Sequence, residues 1–201
     1  MTQNEMFSSA KWLCADDTNN KFFALRGKLV VNNVKTATLR VLGLGFFHCY
    51  INGKRVGNDL FLPLNTDFEA RENFPVDEVV SGHRIYVPEY DITSMLRDGE
   101  NIVVIHFGGG WFTRDNQKKF GDAKAIWRIF GEDSSGSFDF VSSEKDEIAA
   151  SFITDYDFTE YEIQDYTCMS ADMIPWGADG FEWKPAALAK PLETDYLFSD
   201  C

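Results

Sequence analysis

The chain has 201 residues, 44 % of them hydrophobic and 15 % aromatic with 18 Phe, which is ample for a packed core and too apolar for a disordered chain. The formal net charge of −13 is unevenly placed, +1 over residues 1–131 and −14 over residues 132–201, and with no basic stripe a nucleic-acid partner is excluded. No apolar run reaches the roughly 18 residues of a membrane-spanning helix. Met1–Glu5 lacks the basic and apolar regions of a signal peptide, so the expected location is the cytoplasm, or the periplasm or exterior if a leader has been removed.

The apolar periodicity is of the strand kind, in short runs cut by Gly, Pro, Asn and Asp. Residues 1–11 read as an N-terminal arm. Strands are expected at Lys21–Val31, Thr36–Leu44 and Phe46–Ile51, the last running into Asn52-Gly53, whose two residues both tolerate positive φ and so mark a hairpin. Residues 57–82 form a polar, turn-rich passage with Pro63 and Pro75. A strand is expected at Arg84–Tyr90, then one helical turn over Asp91–Leu96 capped by Asp91 or Thr93, then a turn at Asp98–Asn101. The wholly apolar Ile102–Phe107 predicts a central strand, ended by Gly108-Gly109-Gly110. Lys124–Phe130 and Ser137–Ser142 predict a hairpin about Asp133–Gly136, and Ser151–Thr154 and Phe158–Ile163 are short strand candidates. Residues 12–185 are expected to form one domain and 186–201 a linker or tail. About nine short strands with little helix predict an all-β fold, a β-sandwich or jelly roll.

Most catalytic signatures are missing. The triple glycine has no Gly-Lys-Ser/Thr after it, so it is not a phosphate loop and reads as a close backbone approach or a sharp turn beside Trp111. There is no Gly-x-Ser-x-Gly elbow, and three histidines (His48, His83, His106) offer neither a nucleophile's partner nor zinc spacing. The four cysteines (Cys14, Cys49, Cys168, Cys201) are scattered without a CxxC and are expected to be reduced thiols. With 32 Asp and Glu, carboxylate pairs arise by number alone. The acidic last third reads as solvated surface, with a basic partner or a cation as alternatives. Asp155-Tyr156-Asp157-Phe158-Thr159 alternates oxygen ligands but has Glu160 where an EF-hand needs Gly, which leaves calcium as an irregular site and no other cofactor expected.

Aromatic rings stack on sugars while planar polar groups bind their hydroxyls. Trp111, Phe112, Phe61 and Phe68 lie in loop-like sequence with Asn58, Asp59, Asn65, Asp67 and Arg71. Asn58, Asp59, Asn65, Asp67, Arg71, Trp111 and Phe112 are therefore the candidate carbohydrate contacts. The competing reading places the aromatics in the core, and it leads for Trp111, directly after a buried strand.

The run from Ala37 to Asp67, with Tyr50-Ile51-Asn52-Gly53-Lys54-Arg55-Val56-Gly57 at its centre, resembles the N-terminal domain of bacterial α-L-rhamnosidases. Tyr90-Asp91-Ile92-Thr93 with Leu96, then Gly99-Glu100-Asn101 and an apolar strand ending in Gly108-Gly109-Gly110-Trp111-Phe112, follow in the family's order. Gly121-Asp122 before the next strand and Gly180-Phe181-Glu182-Trp183-Lys184-Pro185-Ala186 continue it. The resemblance covers roughly residues 12–190. The first piece alone also occurs in other galactose-binding-like jelly rolls, including β-galactosidase sugar-binding domains. It implies a galactose-binding-like jelly roll placed before the (α/α)₆ catalytic barrel of an inverting glycosidase, with the rest of the parent chain as partner and no catalytic residue in this chain. Two departures stand out: the family's Trp in Pro-Gly-Trp-Thr-Asp is Asn65 here, and the stretch about Val79–His83 reads as an insertion. The functions left open are an accessory domain of such a hydrolase, an autonomous carbohydrate-binding module for rhamnose or another terminal sugar, and a small stand-alone enzyme.

Overall fold

Strands form where side chains alternate. Phe23–Val31 (β2) buries Phe23, Leu25, Leu29 and Val31 on one face and leaves Lys28 and Val30 in solvent. The computed structural model describes residues 1–16, 22–60, 62–63, 84–108, 110–113, 120–150, 153–156, 162–164, 182–192 and 197–200. Within them two antiparallel sheets pack face to face. The first runs in the order Ala187–Leu188 (β15), Leu13–Cys14 (β1), Lys124–Asp133 (β9), Thr36–Leu44 (β3), Glu89–Asp91 (β7), with Gly136–Val141 (β10) also paired to β9. The second runs Lys184–Pro185 (β14), Glu147–Ala150 (β11), β2, Gly99–Phe107 (β8), Phe47–Ile51 (β4), Lys54–Arg55 (β5). The chain is all-β with little helix, and the apolar strand around Ile102–Phe107 is central, held between β2 and β4.

The interior is fitted by exchange. Trp127 of β9 crosses from the first sheet and presses on Gly27 of β2, where an added Cβ would stand 2.3 Å from the indole. Phe107 of β8 crosses the other way onto Gly43 of β3, where a Cβ would stand 2.5 Å from the ring. Each sheet thus gives up a side chain where the other inserts its largest, an arrangement that any added atom would overpack.

A second apolar cluster covers the outer face of the first sheet. It joins Leu42, Leu44 and Ile126 of the sheet to Met6 and Phe7 of the helix Gln3–Phe7 (α1), Ile85 and Val87 of Arg84–Val87 (β6), and Phe198 of Leu197–Asp200 (β16). The helix starts at Thr2, whose side chain and the Glu5 carboxylate form a reciprocal capping box. Its end is held by Arg40 and Arg128, whose guanidiniums both donate to the Met6 carbonyl. Strand β6 pairs in parallel with β16, and the Phe198 N–H donates to the Met1 carbonyl at 2.8 Å.

This arrangement corrects the expected domain limits. Within residues 1–11, read as an N-terminal arm, Met6 and Phe7 are fully buried, and within the described part of 186–201, read as a linker or tail, Phe198 is buried and β15 forms an edge of the first sheet. The physical reason lies in β3, whose Val41-Leu42-Gly43-Leu44 is apolar on both faces and needs cover on both. Other boundaries shift by small amounts. Arg84–Tyr90 divides into β6 and β7 at Pro88, which has no N–H for a ladder. The helical turn shortens to a 3₁₀ turn over Thr93–Met95, and its Thr93 N–H donates to the Asp91 carboxylate at 2.9 Å. Ile153–Tyr156 (β12) pairs with Glu162–Gln164 (β13), close to the two short strands expected there. Strand β11 was not expected.

Candidate functional site

Of the candidate sugar contacts, Asn58, Asp59 and Phe112 are the ones whose side chains are described. Asn58 and Asp59 follow β5 and are exposed. The Arg55 guanidinium donates to the Asp59 carbonyl, and the Tyr90 hydroxyl donates to Asp59 Oδ2 at 2.8 Å. Gly57 lies at φ +66 with the Tyr90 ring so close that a Cβ would come within 2.6 Å. A loop wedged this way has a fixed backbone and presents Asn58 and the free oxygen of Asp59 outward. Beside them Leu60 is 70 % exposed.

Phe112 is elsewhere. It lies in the 3₁₀ turn Trp111–Thr113, is 3 % exposed, joins the cluster over the first sheet and stacks with Phe120 at 6.3 Å. A ring so buried has no face to offer a sugar, which corrects its place among the contacts. Asn65, Asp67 and Arg71 lie outside the described residues, as do the 79–83 stretch, Cys168 and Cys201, and the side chain of Trp111 is not described. Asp155 stands in β12, opposite Ile163, while 157–161 lie outside the described residues.

The motif residues have clear work, and it is architectural. Asn52 (φ 50) and Gly53 (φ 77) make the two-residue turn between β4 and β5, both in the left-handed region, as the Asn-Gly pair predicts. The Asn52 amide donates to Asn101 Oδ1 at 2.8 Å and to the Met95 carbonyl, and its Oδ1 accepts from Ile102 N–H. Asn101, fully buried, accepts from Arg97 N–H and donates to the carbonyls of Arg97 and Gly99. The two asparagines therefore weld the hairpin to the start of β8. Gly108 and Gly110 bring two segments together: a Cβ on Gly110 would lie 2.8 Å from the Phe46 amide nitrogen, and Gly108 N–H donates to the Phe46 carbonyl. Trp183 lies under the Arg26 guanidinium, 4.3 Å from its ring centre, on the outer face of the second sheet with Tyr50, Val104 and Ile102.

Titratable groups follow the same pattern. His106 is buried beside His48 across the β4–β8 pair, and burial pushes it down to about 3, with the His48 charge adding to the effect. Burial first, then Arg55, lowers His48 as well. Cys14 and Cys49 are buried free thiols, and burial pushes Cys49 up to about 12, which leaves it inert. Among the described residues no three His, Cys, Asp or Glu are placed to hold a metal ion, and no helix is long and apolar enough to cross a membrane.

Fold and side chains together define a two-sheet antiparallel β-sandwich module whose distinctive residues fasten turns and strand ends. The chain belongs to the α-L-rhamnosidase N-terminal domain family, whose model matches residues 32–193. It is similar to an α-L-rhamnosidase of Streptomyces avermitilis, 26 % identical over 162 residues that make up 78 % of this chain and 14 % of the relative. Among solved structures it resembles an α-L-rhamnosidase from Dictyoglumus thermophilum (TM-score 0.75, 22 % identity, 98 % of this chain and 22 % of that one). It also resembles the Streptomyces avermitilis α-L-rhamnosidase complexed with L-rhamnose (TM-score 0.66, 23 % identity, 88 % of this chain and 16 % of that one). The chain thus spans less than a quarter of the length of each of these relatives.

Proposed function

We propose that this chain serves as the non-catalytic N-terminal accessory domain of an α-L-rhamnosidase-type glycoside hydrolase, packing against the catalytic part of the parent polypeptide and completing it. The observation that carries the reading is the family match across a chain that spans only 14 % of the Streptomyces relative. The disposition of carboxylates supports it. Glycoside hydrolysis uses two carboxyl groups facing one sugar. Here Glu147 pairs with Arg26, Glu89 with Arg40 and Asp139 with Arg128, while Asp133 and Asp98 hold backbone amides and Asp146 holds an indole. Each of these six described carboxylates is committed to a structural partner.

The test is hydrolysis of an aryl α-L-rhamnoside. The 201-residue chain alone is expected to give no turnover, and the polypeptide encoded by the whole reading frame is expected to lose most of its activity when this segment is deleted. Turnover by the isolated chain that vanishes on a single carboxylate substitution, or a reading frame that stops near residue 201, overturns the proposal.

A second reading, a carbohydrate-binding module, draws on the rigid loop that presents Asn58 and Asp59. Calorimetry of the chain with L-rhamnose, with calcium added and with calcium chelated, tests both this reading and the irregular calcium site. Flat titrations under both conditions remove rhamnose recognition, and identical curves remove the role of calcium.

A further inference from the structure

Asp146 sits where the chain changes sheets twice. The segment Ser142–Asp146 carries the chain from β10 in the first sheet to β11 in the second, and Ala186 lies at the return crossing from β14 to β15. The two crossings are tied together, since Ala186 N–H donates to the Asp146 carbonyl at 2.9 Å. Ser142 holds the same segment to β9 and to the stretch before β1: its N–H donates to the Trp127 carbonyl, its hydroxyl accepts from Trp127 N–H and donates to the Lys11 carbonyl, and its carbonyl accepts from Lys11 N–H. In the middle, Asp146 Oδ2 accepts the indole N–H of Trp127 at 2.7 Å, the same Trp127 whose ring crosses the core to Gly27. Asp146 thus holds both parts, its carboxyl the indole that joins the sheets and its main-chain carbonyl the return crossing that closes their side.

The surroundings are poor for a charge. Asp146 is 5 % exposed, and its donors are neutral. Among the described residues, its neighbour Glu147 adds a second negative charge, and Arg26 of β2 is engaged by Glu147 at 2.6 Å. Lys145 on its own turn, Lys11 before β1 and Lys184 on β14 are exposed, and Trp127 brings no charge from β9. A buried carboxyl so placed keeps its proton to higher pH than one in water.

We propose that Asp146 is a proton-operated clasp between the two sheets: its carboxyl accepts the Trp127 indole N–H in either state, but ionisation places an uncompensated charge beside Glu147 in the buried seam and loosens it, so that the domain is tightest in mildly acidic conditions. Burial pushes the Asp146 carboxyl up to about 7, with Trp127 opposing the shift. In an unfolded chain it titrates near its ordinary value of 3.8. Between those values the folded chain holds a proton that the unfolded chain has lost, so stability falls as pH rises through this window and levels off above it.

The test uses the 201-residue chain. For the unsubstituted chain, ¹³C NMR of the Asp146 carboxyl is expected to titrate within about one pH unit of neutrality, and the Trp127 indole N–H resonance is expected to move with the same midpoint. Thermal melting is expected to fall by about 5 °C from pH 5 to pH 8, and Asp146→Asn, which keeps an acceptor for Trp127 without a titrating proton, is expected to remove most of that fall. A carboxyl midpoint below pH 5, or an indole resonance that ignores the titration, overturns the clasp. So does a melting profile in D146N with the same slope as the unsubstituted chain. Should D146N fail to fold, the carboxyl and indole titrations decide alone.

Discussion

Where β2 leads into β3 and β4 into β5, the sandwich is closed by polar side chains that complete backbone hydrogen bonds, whereas at the opposite end, where β3 leads into β4 and β8 gives way to the glycines, it is closed by aromatic rings and bare backbone. At the first end Asp133 accepts from the amides of Asn32 and Ser135, Asp98 from Asn33, Thr93 from Ala37, and the Asn52–Asn101 pair serves five backbone groups. Backbone donors in particular hold the Asp133 carboxyl below its usual range, Asn32 first. At the second end Gly110 admits Phe46, Phe112 packs on Phe120 and Gly121, and Leu62 accepts from Phe47. The difference teaches that a turn leaves amides and carbonyls in need of partners at fixed places, so short polar residues recur there, while close approach of chains demands only that nothing be in the way. The residues that carry the family resemblance divide along this line, Asn52, Thr93 and Asn101 at one end and Gly108 and Gly110 at the other.

Substitutions can break or sharpen the contrast. The largest effect is expected for Phe112→Ala, which leaves a cavity among Phe120, Leu44 and Ile126 and should lower unfolding free energy by about 4 kcal/mol in urea titrations. A loss under about 1 kcal/mol would mean that Phe112 is not core and would return its ring to the sugar-contact candidates. Next comes Asn101→Leu, isosteric but without hydrogen bonds, which orphans the Asn52 amide, the Arg97 N–H and two carbonyls at a cost of about 3 kcal/mol. A double-mutant cycle with Asn52→Leu should show strong coupling, and strict additivity would show that the two asparagines do not act as one unit. Gly53→Val should cost about 1 kcal/mol through backbone alone, because nothing lies within 4 Å of the position a Cβ would take. An unchanged melting midpoint would show that the turn is of another kind.

The strand skeleton was legible because its signals are local. Thr36–Leu44 falls where its alternation puts it, the Asn52-Gly53 turn where its residues demand it, and the hairpin around Asp133–Gly136 likewise. What escaped depends on distant partners. Glu147–Ala150 offers only two buried apolar residues, and it becomes a strand because β2 lies beside it. Strands β1, β14 and β15 are two residues each and have no sequence pattern of their own. The folding-back of the chain ends was signalled by the two-faced apolar β3 and by Met6-Phe7 and Phe198, but only when the three are considered together. Asp146, between Lys145 and Glu147, reads as one more solvated charge, and nothing local announces that Trp127, 19 positions earlier, reaches it. For the candidate site, Asn58 and Asp59 were recognisable as exposed polar residues in a turn, whereas Phe112 looks the same in sequence whether its ring faces a sugar or Phe120.

The pairing of Leu13 with Leu188 has a consequence for synthesis. An edge of the first sheet cannot close until residue 188 has left the ribosome, which at roughly 5–20 residues per second is on the order of ten seconds or more after Leu13. During that interval the apolar outer face of β3, with Leu42 and Leu44, has neither β16 nor its partner β6 fastened over it. Contacts of such sequence separation also set a slow folding rate. The nascent domain thus spends that interval with an apolar face bare, which is the kinetic cost of ends that meet in the finished fold.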